Sequence, residues 1–278
     1  MNCTGNYKGF NISGRRFALS IGFIGAGKCG VSLANYFLCN GMDVSGFYSR
    51  HNTCGDFKFL PLLDLVNSSE IIFITVSDSQ ITNVWNDISR LDLGDKMICH
   101  TSGSNTSDIF SGANEENVCS VHPMLAFNSQ NVSVNTISKA FFTLEGGENA
   151  VLKISQILTN CGNKFKVINK EDKAKYHAAA CFASNFVVSV CTVAEHLLKD
   201  CGFSETEARE ALIPIMENNM SNIISVGTKD AITGPAARGD IETIKAHLAV
   251  LGKYTDLYKE LTDVIFKMKG IETIWEKQ

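Results

Sequence analysis

Short apolar runs of strand length alternate with amphipathic stretches through the first 168 residues, and beyond them the alternation stops. The runs Phe17 to Ile24, Asp43 to Tyr48, Glu70 to Val76, Lys96 to His100, Asn117 to Val121, Ala140 to Leu144 and Lys164 to Ile168 read as strands, the first and third of them buried. Between them, Val31, Leu33, Ala34, Phe37 and Leu38 form a helical stripe that ends at Gly41, and Leu60 to Val66, Gln80 to Arg90 and Asn149 to Asn160 read as further helices. Such alternation predicts a mostly parallel sheet covered on both faces. From Glu171 the strand signals vanish. One long helix runs to about Asp200, and Ser204-Glu205-Thr206-Glu207 is a capping box that opens another. A loop from Thr233 to Asp240 follows, then helices Ile241 to Leu251 and Tyr254 to Met268. The expected organisation is therefore an α/β domain over 1–168 and an all-helical domain over 169–278. Residues 1–12 are polar and rich in Gly and Asn, and read as a disordered leader.

The first strand runs into three glycines spaced Gly25-x-Gly27-x-x-Gly30, a pattern that suits strand, tight turn and helix start. Gly25 makes the turn, Gly27 lets a pyrophosphate approach the backbone, and Gly30 lets the helix pack close to the strand. The free N–H groups and positive end of that helix favour an anion. Gly25, Ala26, Gly27, Lys28, Cys29 and Gly30 thus form a candidate dinucleotide cradle. Arg15-Arg16 ahead of an apolar run imitates a secretory signal, but the run is short and broken by glycines.

The chain has 278 residues, 45% of them hydrophobic, enough for a substantial core. With 25 basic and 29 acidic residues and no long basic block, nothing calls for nucleic acid or an anionic membrane. No segment reads as apolar for long enough to span a bilayer. The ten cysteines are scattered without a C-x-x-C pair, which fits reduced thiols in a cytoplasmic protein and no metal site.

Cofactor choice is read at the end of the second strand, where NAD enzymes place a carboxylate for the ribose hydroxyls. Here stand Ser49 and Arg50, which suit a 2′-phosphate, so NADPH is favoured over NADH. Ser77 and Asp78 end the third strand, with Asp78 placed to cap the next helix and aim its N-terminus at the same crevice. At the fourth strand end, Ser102 and Ser104 could hydrogen-bond a substrate or the nicotinamide amide, or merely cap a helix. His122, before Pro123, ends the fifth strand with an ordinary pKa near working pH and could exchange a proton during hydride transfer. On the long helix Lys173, His177, Cys181, Ser184 and Val188 share one stripe, with Asn185 at its margin. Core packing accounts for that stripe equally well. Asp240 reads as an N-cap, while Arg238 could grip a substrate carboxylate or phosphate.

Six motifs in order, GAGKCG, VSDSQI, HTSGS, HPMLAF, KAKYHAAACFASN and TGPAARGD, resemble the Rossmann-like candidate NADP oxidoreductases whose C-terminal helical domain is of unknown function. Wider relatives are pyrroline-5-carboxylate reductase, prephenate dehydrogenase and the β-hydroxyacid dehydrogenases. The resemblance implies a Rossmann-type, mostly parallel sheet domain followed by an all-helical domain that builds a homodimer. His122 is similar to the catalytic histidine of prephenate dehydrogenase, and Ser102 or Ser104 to its substrate-binding serine. The catalytic lysine of β-hydroxyacid dehydrogenases stands four residues before an asparagine, where this chain has Cys181; Lys173 is a substitute on a similar face.

The resulting expectation is an NADPH-dependent oxidoreductase acting on a small polar C=O or C=N substrate in the cleft between domains. His122, His177, Lys173 and Ser102 are its catalytic candidates, and Ser104, Ser184, Asn185 and Arg238 its substrate-binding candidates. The competing class is a non-catalytic sensor that reads NADP(H) with the same cradle.

Overall fold

The computed structural model describes residues 19–51 and 55–275. The expected leader, Arg15-Arg16 and the start of the first strand lie outside the described residues. All seven expected strands form, as β1 (Ser20–Ile24), β2 (Asp43–Tyr48), β3 (Ile71–Ile74), β4 (Met97–His100), β5 (Val118–Met124), β6 (Phe141–Gly146) and β7 (Lys164–Val167). They make one sheet in the order β2-β1-β3-β4-β5-β6-β7. The first five strands of that order run parallel, β6 is antiparallel to β5, and β7 is parallel to β6. Because β1 leads outward to β2 and the chain then crosses back to β3, the sheet has a switch point between β1 and β3, where the carboxyl ends of the strands open a crevice.

Successive strand residues feed opposite faces. Ile71 and Phe73 join Phe23, Phe37 and Phe47 in one core cluster, while Ile72 and Ile74 join Ile24, Leu65 and Trp85 in the other. Each fully buried Phe or Ile contributes roughly 1.5 to 3 kcal/mol. That double burial explains why β3 reads as an unbroken apolar run rather than an alternating one. The covering helices are α1 (Lys28–Cys39), α2 (Leu62–Asn67), α3 (Ile81–Ile88), α4 (Val134–Ile137) and α5 (Glu148–Asn160).

Contacts divide the chain into two compact units, 1–184 and 185–278. The sheet unit thus includes α6 (Lys173–Ala183), and the helical unit begins with α7 (Asn185–Asp200). The single long helix expected to about Asp200 is therefore corrected. Ser184 leaves helical geometry at φ −128° and ψ −81°, and its hydroxyl donates to Ala180 O at 2.7 Å, a back-bond that bends helices. The expectation that no segment could span a bilayer is also corrected, since the stretch Lys170–Asp200 is long and apolar enough by length and composition. A helix that packs against other protein passes the same test. Some of its apolar side chains are exposed, Phe182 to 68% and Val188 to 67%, while Leu197 and Leu198 are half-buried.

The helical unit continues with α8 (Glu205–Val226), α9 (Thr228–Ala231), α10 (Pro235–Arg238), α11 (Ile241–Leu248) and α12 (Thr255–Lys269). Both halves of the Ser204/Glu207 capping box are made, and Asp240 caps α11 by accepting from Thr243 N. The stretch read as a loop from Thr233 contains α10, a single turn opened by Pro235 at its first position. A small core of Ala236, Ile244 and Phe266, with Tyr258 and Trp275 against it, holds α10 to α12 together.

Candidate active site

Gly25 turns the chain out of β1 with φ 107°, and its N–H donates to Tyr48 O at 2.8 Å, which ties the turn to the end of β2. Behind the turn, Thr75 Oγ1 donates to Gly25 O at 2.7 Å. A Cβ on Gly30 would collide with that same Thr75 hydroxyl and with Gly25 O, so the close approach of α1 to the sheet depends on glycine there. Gly27 differs. It is exposed, its backbone is extended, and a Cβ on it would meet only Thr75 O, at an ordinary 3.8 Å. No acidic side chain lies in the first turn of α1, and burial pushes the Cys29 thiol up to about 12, so it adds no negative charge. An open glycine before a twelve-residue helix whose first N–H groups have no capping side chain fits a pyrophosphate. Lys28 is exposed beside it, and Ala26 is buried with its carbonyl accepting from Gln130 Nε2 at 2.7 Å. Ser49 and exposed Arg50 follow Tyr48 directly, within the loop where β2 ends; the Ser49 hydroxyl donates to His51 O.

Three residues past Thr75 the site changes character. Asp78 was expected to cap a helix, but the chain opens with a 3₁₀ turn over Asp78–Gln80, for which Ser77 is the N-cap and makes no side-chain cap bond. The carboxylate is engaged elsewhere, for Asp78 Oδ2 accepts from Ser102 Oγ at 2.8 Å and Ser104 Oγ at 3.1 Å. Ser102 Oγ in turn accepts from Asn105 N at 3.0 Å. His100, fully buried, completes the turn by accepting Ser102 N–H on Nδ1 and donating from Nε2 to Thr106 O, both at 3.2 Å. The HTSGS segment is thus a rigid turn held from both ends, with its serines fastened to the end of β3.

Lys173, the first residue of α6, reaches down into this turn. It is 1% exposed, and its ammonium donates to Ser102 O at 3.1 Å and to Ser120 Oγ on β5. Burial brings its pKa down to about 8, against the pull of the buried Glu145 carboxylate, which accepts from Ser107 N and Oγ at 2.8 Å each. His122 lies inside β5 rather than beyond it, because the strand continues through Pro123 to Met124 on its pairing with β6. The expectation of a pKa near working pH is corrected as well. Burial first, then Lys173 and His177, lower His122 to about 4, so it stands as a neutral imidazole at pH 7. The His122 and His177 rings meet edge to face with centroids 6.0 Å apart. Gly103 makes room for both, since a Cβ there would strike His177 and lie 3.0 Å from His122 Nε2.

The structure therefore gathers Asp78, Ser102, Ser104, His122, Lys173 and His177 at adjacent carboxyl ends of β3, β4 and β5, next to the glycine turn. It does not gather all the expected residues. Ser184 is seven residues beyond His177, about 10 Å along a helix axis, and Asn185 and Arg238 belong to the helical unit. Val188 leaves the expected stripe because the helix breaks before it. Sequence reasoning missed Thr75, Ser120, Glu145 and Tyr176. Only Tyr176 left a signal, being on the same helix face as Lys173, three residues earlier.

Residues 140–265 match the family model described as Domain of unknown function (DUF2520). No curated protein matches the chain. Among solved structures, protein TM1727 from Thermotoga maritima is 24% identical with a TM-score of 0.72, over 90% of this chain and 98% of that one. BF3122 from Bacteroides fragilis, presented as a candidate NADP oxidoreductase, is 22% identical with the same TM-score and coverages. A Plasmodium falciparum pyrroline carboxylate reductase with NADP bound is 15% identical, with a TM-score of 0.58 over 92% of this chain and 100% of that one. This chain has the Rossmann-type fold shared by these structures, and its C-terminal helical region lies within the DUF2520 match as far as residue 265.

Proposed function

We propose that the protein is an NADPH-dependent oxidoreductase acting on a small polar C=O or C=N compound. The observation that supports it most is the direct junction of two arrangements within the sheet unit. Thr75 backs the glycine turn, and three residues later Asp78 fastens the serine turn that lies against His122, His177 and Lys173. A pyrrolinecarboxylate reductase with NADP bound shares the fold. Gly25 to Gly30 and the first N–H groups of α1 would hold the pyrophosphate, and Ser49 and Arg50 the 2′-phosphate. Bound there, the nicotinamide supplies or accepts the hydride.

The remaining work falls to this chain's own side chains. Ser104, its hydroxyl aligned by Asp78, orients a polar substrate. His122 is neutral, so it offers an N–H to a substrate oxygen or nitrogen or takes a proton from it. Lys173, mostly protonated at pH 7 and lacking exposure, keeps positive charge beneath the serine turn and does not itself meet the substrate.

Gly27→Val tests the cofactor reading cleanly, because the valine has room in the fold and its backbone is extended. The expected result is an unchanged melting temperature with loss of measurable NADPH binding by calorimetric titration. Full NADPH affinity in that variant, or none in the unmutated protein, removes the proposal.

A further inference from the structure

His122 Nδ1 lies 2.7 Å from the Tyr176 hydroxyl, and the two rings meet edge to face at 84° with centroids 5.6 Å apart. Tyr176 stands on α6 between Lys173 and His177, so the helix that delivers those two also delivers the phenol. Across the sheet, Thr143 on β6 is the register partner of His122. Its hydroxyl is buried and makes no conventional hydrogen bond among the described residues. Burial raises the pKa of the Tyr176 phenol.

A neutral imidazole has a single N–H, carried on one nitrogen or the other, and the partner of one nitrogen decides which. Here the phenol keeps its own hydrogen, since burial opposes ionisation. Among the described residues, Nδ1 is the acceptor within reach of that hydrogen. That leaves the phenol hydrogen for Nδ1. The opposite nitrogen, Nε2, is turned to the serine turn, 3.0 Å from where a Cβ on Gly103 would stand.

We propose that Tyr176 is a positioning residue for His122: it donates to Nδ1 and so places the only imidazole hydrogen on Nε2, facing the Gly103 turn. The use of that hydrogen, as a bond offered to the heteroatom of a C=O or C=N group, rests on the function proposed above. The tautomer itself does not. Gly103 then has a second consequence, because any side chain there would cover the N–H that Tyr176 sets in place.

The test is a long-range ¹H–¹⁵N correlation spectrum of the full chain with ¹⁵N-labelled histidine at pH 7, His122 being assigned by the signals lost in His122→Asn. The expected result is a single Nε2–H tautomer in the unmutated protein and a mixture of both tautomers in Tyr176→Phe. A Nδ1–H pattern in the unmutated protein overturns the proposal. So does an unchanged Nε2–H pattern in a folded Tyr176→Phe. Should that variant not fold, the unmutated protein still decides, since a mixture of both tautomers there also overturns the proposal. NADPH titration of the same samples separates the two ideas, since a protein that binds no NADPH loses the oxidoreductase reading while its spectrum still decides the tautomer.

Discussion

The two units of this chain use one side-chain pair to different ends. In the helical unit, His196 and His247 each place Nδ1 2.7 Å from a tyrosine hydroxyl, of Tyr254 and Tyr258, at exposed positions. In the sheet unit His122 and Tyr176 repeat that distance, but within a wall of Lys173, His177 and the serine turn. A hydrogen bond in water replaces one to solvent and nets little, about 1 kcal/mol. Out of water the same bond fixes which atoms carry hydrogen and what charge the ring bears. The lesson is that chemistry resides in the surroundings of a pair and not in the pair, and the two units provide internal controls for each other.

The largest effect expected from this contrast is on turnover. His122→Asn should lower the rate on any substrate found by screening keto acids, imines and hydroxy acids by roughly 10²- to 10⁴-fold while NADPH affinity holds. His247→Asn should leave that rate alone. Steady-state kinetics decides, and if His177→Asn shows the larger loss, the proton-handling role passes to α6.

A smaller effect is expected on stability against pH. Burial holds His100 and His122 at about 4, against an ordinary 6.5. Between those values the unfolded chain binds more protons, so stability is full above about pH 6.5 and is lost as pH falls toward 4. The gap is worth roughly 3 kcal/mol for each histidine. Urea unfolding from pH 7 to 4 should show a slope that His100→Asn flattens. An unchanged slope in that variant would count against the buried histidines as its source.

The smallest effect is on cofactor choice. Arg50→Ala should cost roughly 1.5 to 3 kcal/mol of NADPH affinity and leave NADH affinity in place, the worth of one charge-assisted contact. Arg238→Ala, an exposed arginine of the helical unit, should not alter the ratio. Titration of both cofactors against each variant measures it.

Much of the sheet unit was legible because its central strands are buried on both faces. Ile71 to Ile74 has no polar interruption, and Asp43 to Tyr48 was read with the bounds that β2 has. Local chemistry was legible too, in the Ser204/Glu207 box and the Asp240 cap. What escaped were outcomes of competition between local and distant partners. Asp78 satisfies the local rule for a cap, yet two serines more than twenty residues away hold its carboxylate. Ser184 sits in a fine apolar helical pattern, and a hydroxyl that bonds back one turn ends the run. His122 kept its solution pKa in the sequence reading because periodicity carries no information about how completely α6 covers the strand end.

The order in which the strands take their places also has a temporal side. The glycine turn is complete once β1, β2 and β3 have paired and Thr75 has closed behind it, all within the first 75 residues. The histidine cluster waits for Lys173, Tyr176 and His177, about a hundred residues later. On a ribosome adding residues at roughly 5 to 20 per second, that interval lasts about 5 to 20 seconds. Under the function proposed above, a nascent chain has for that time the parts assigned to the cofactor before it has those assigned to the proton.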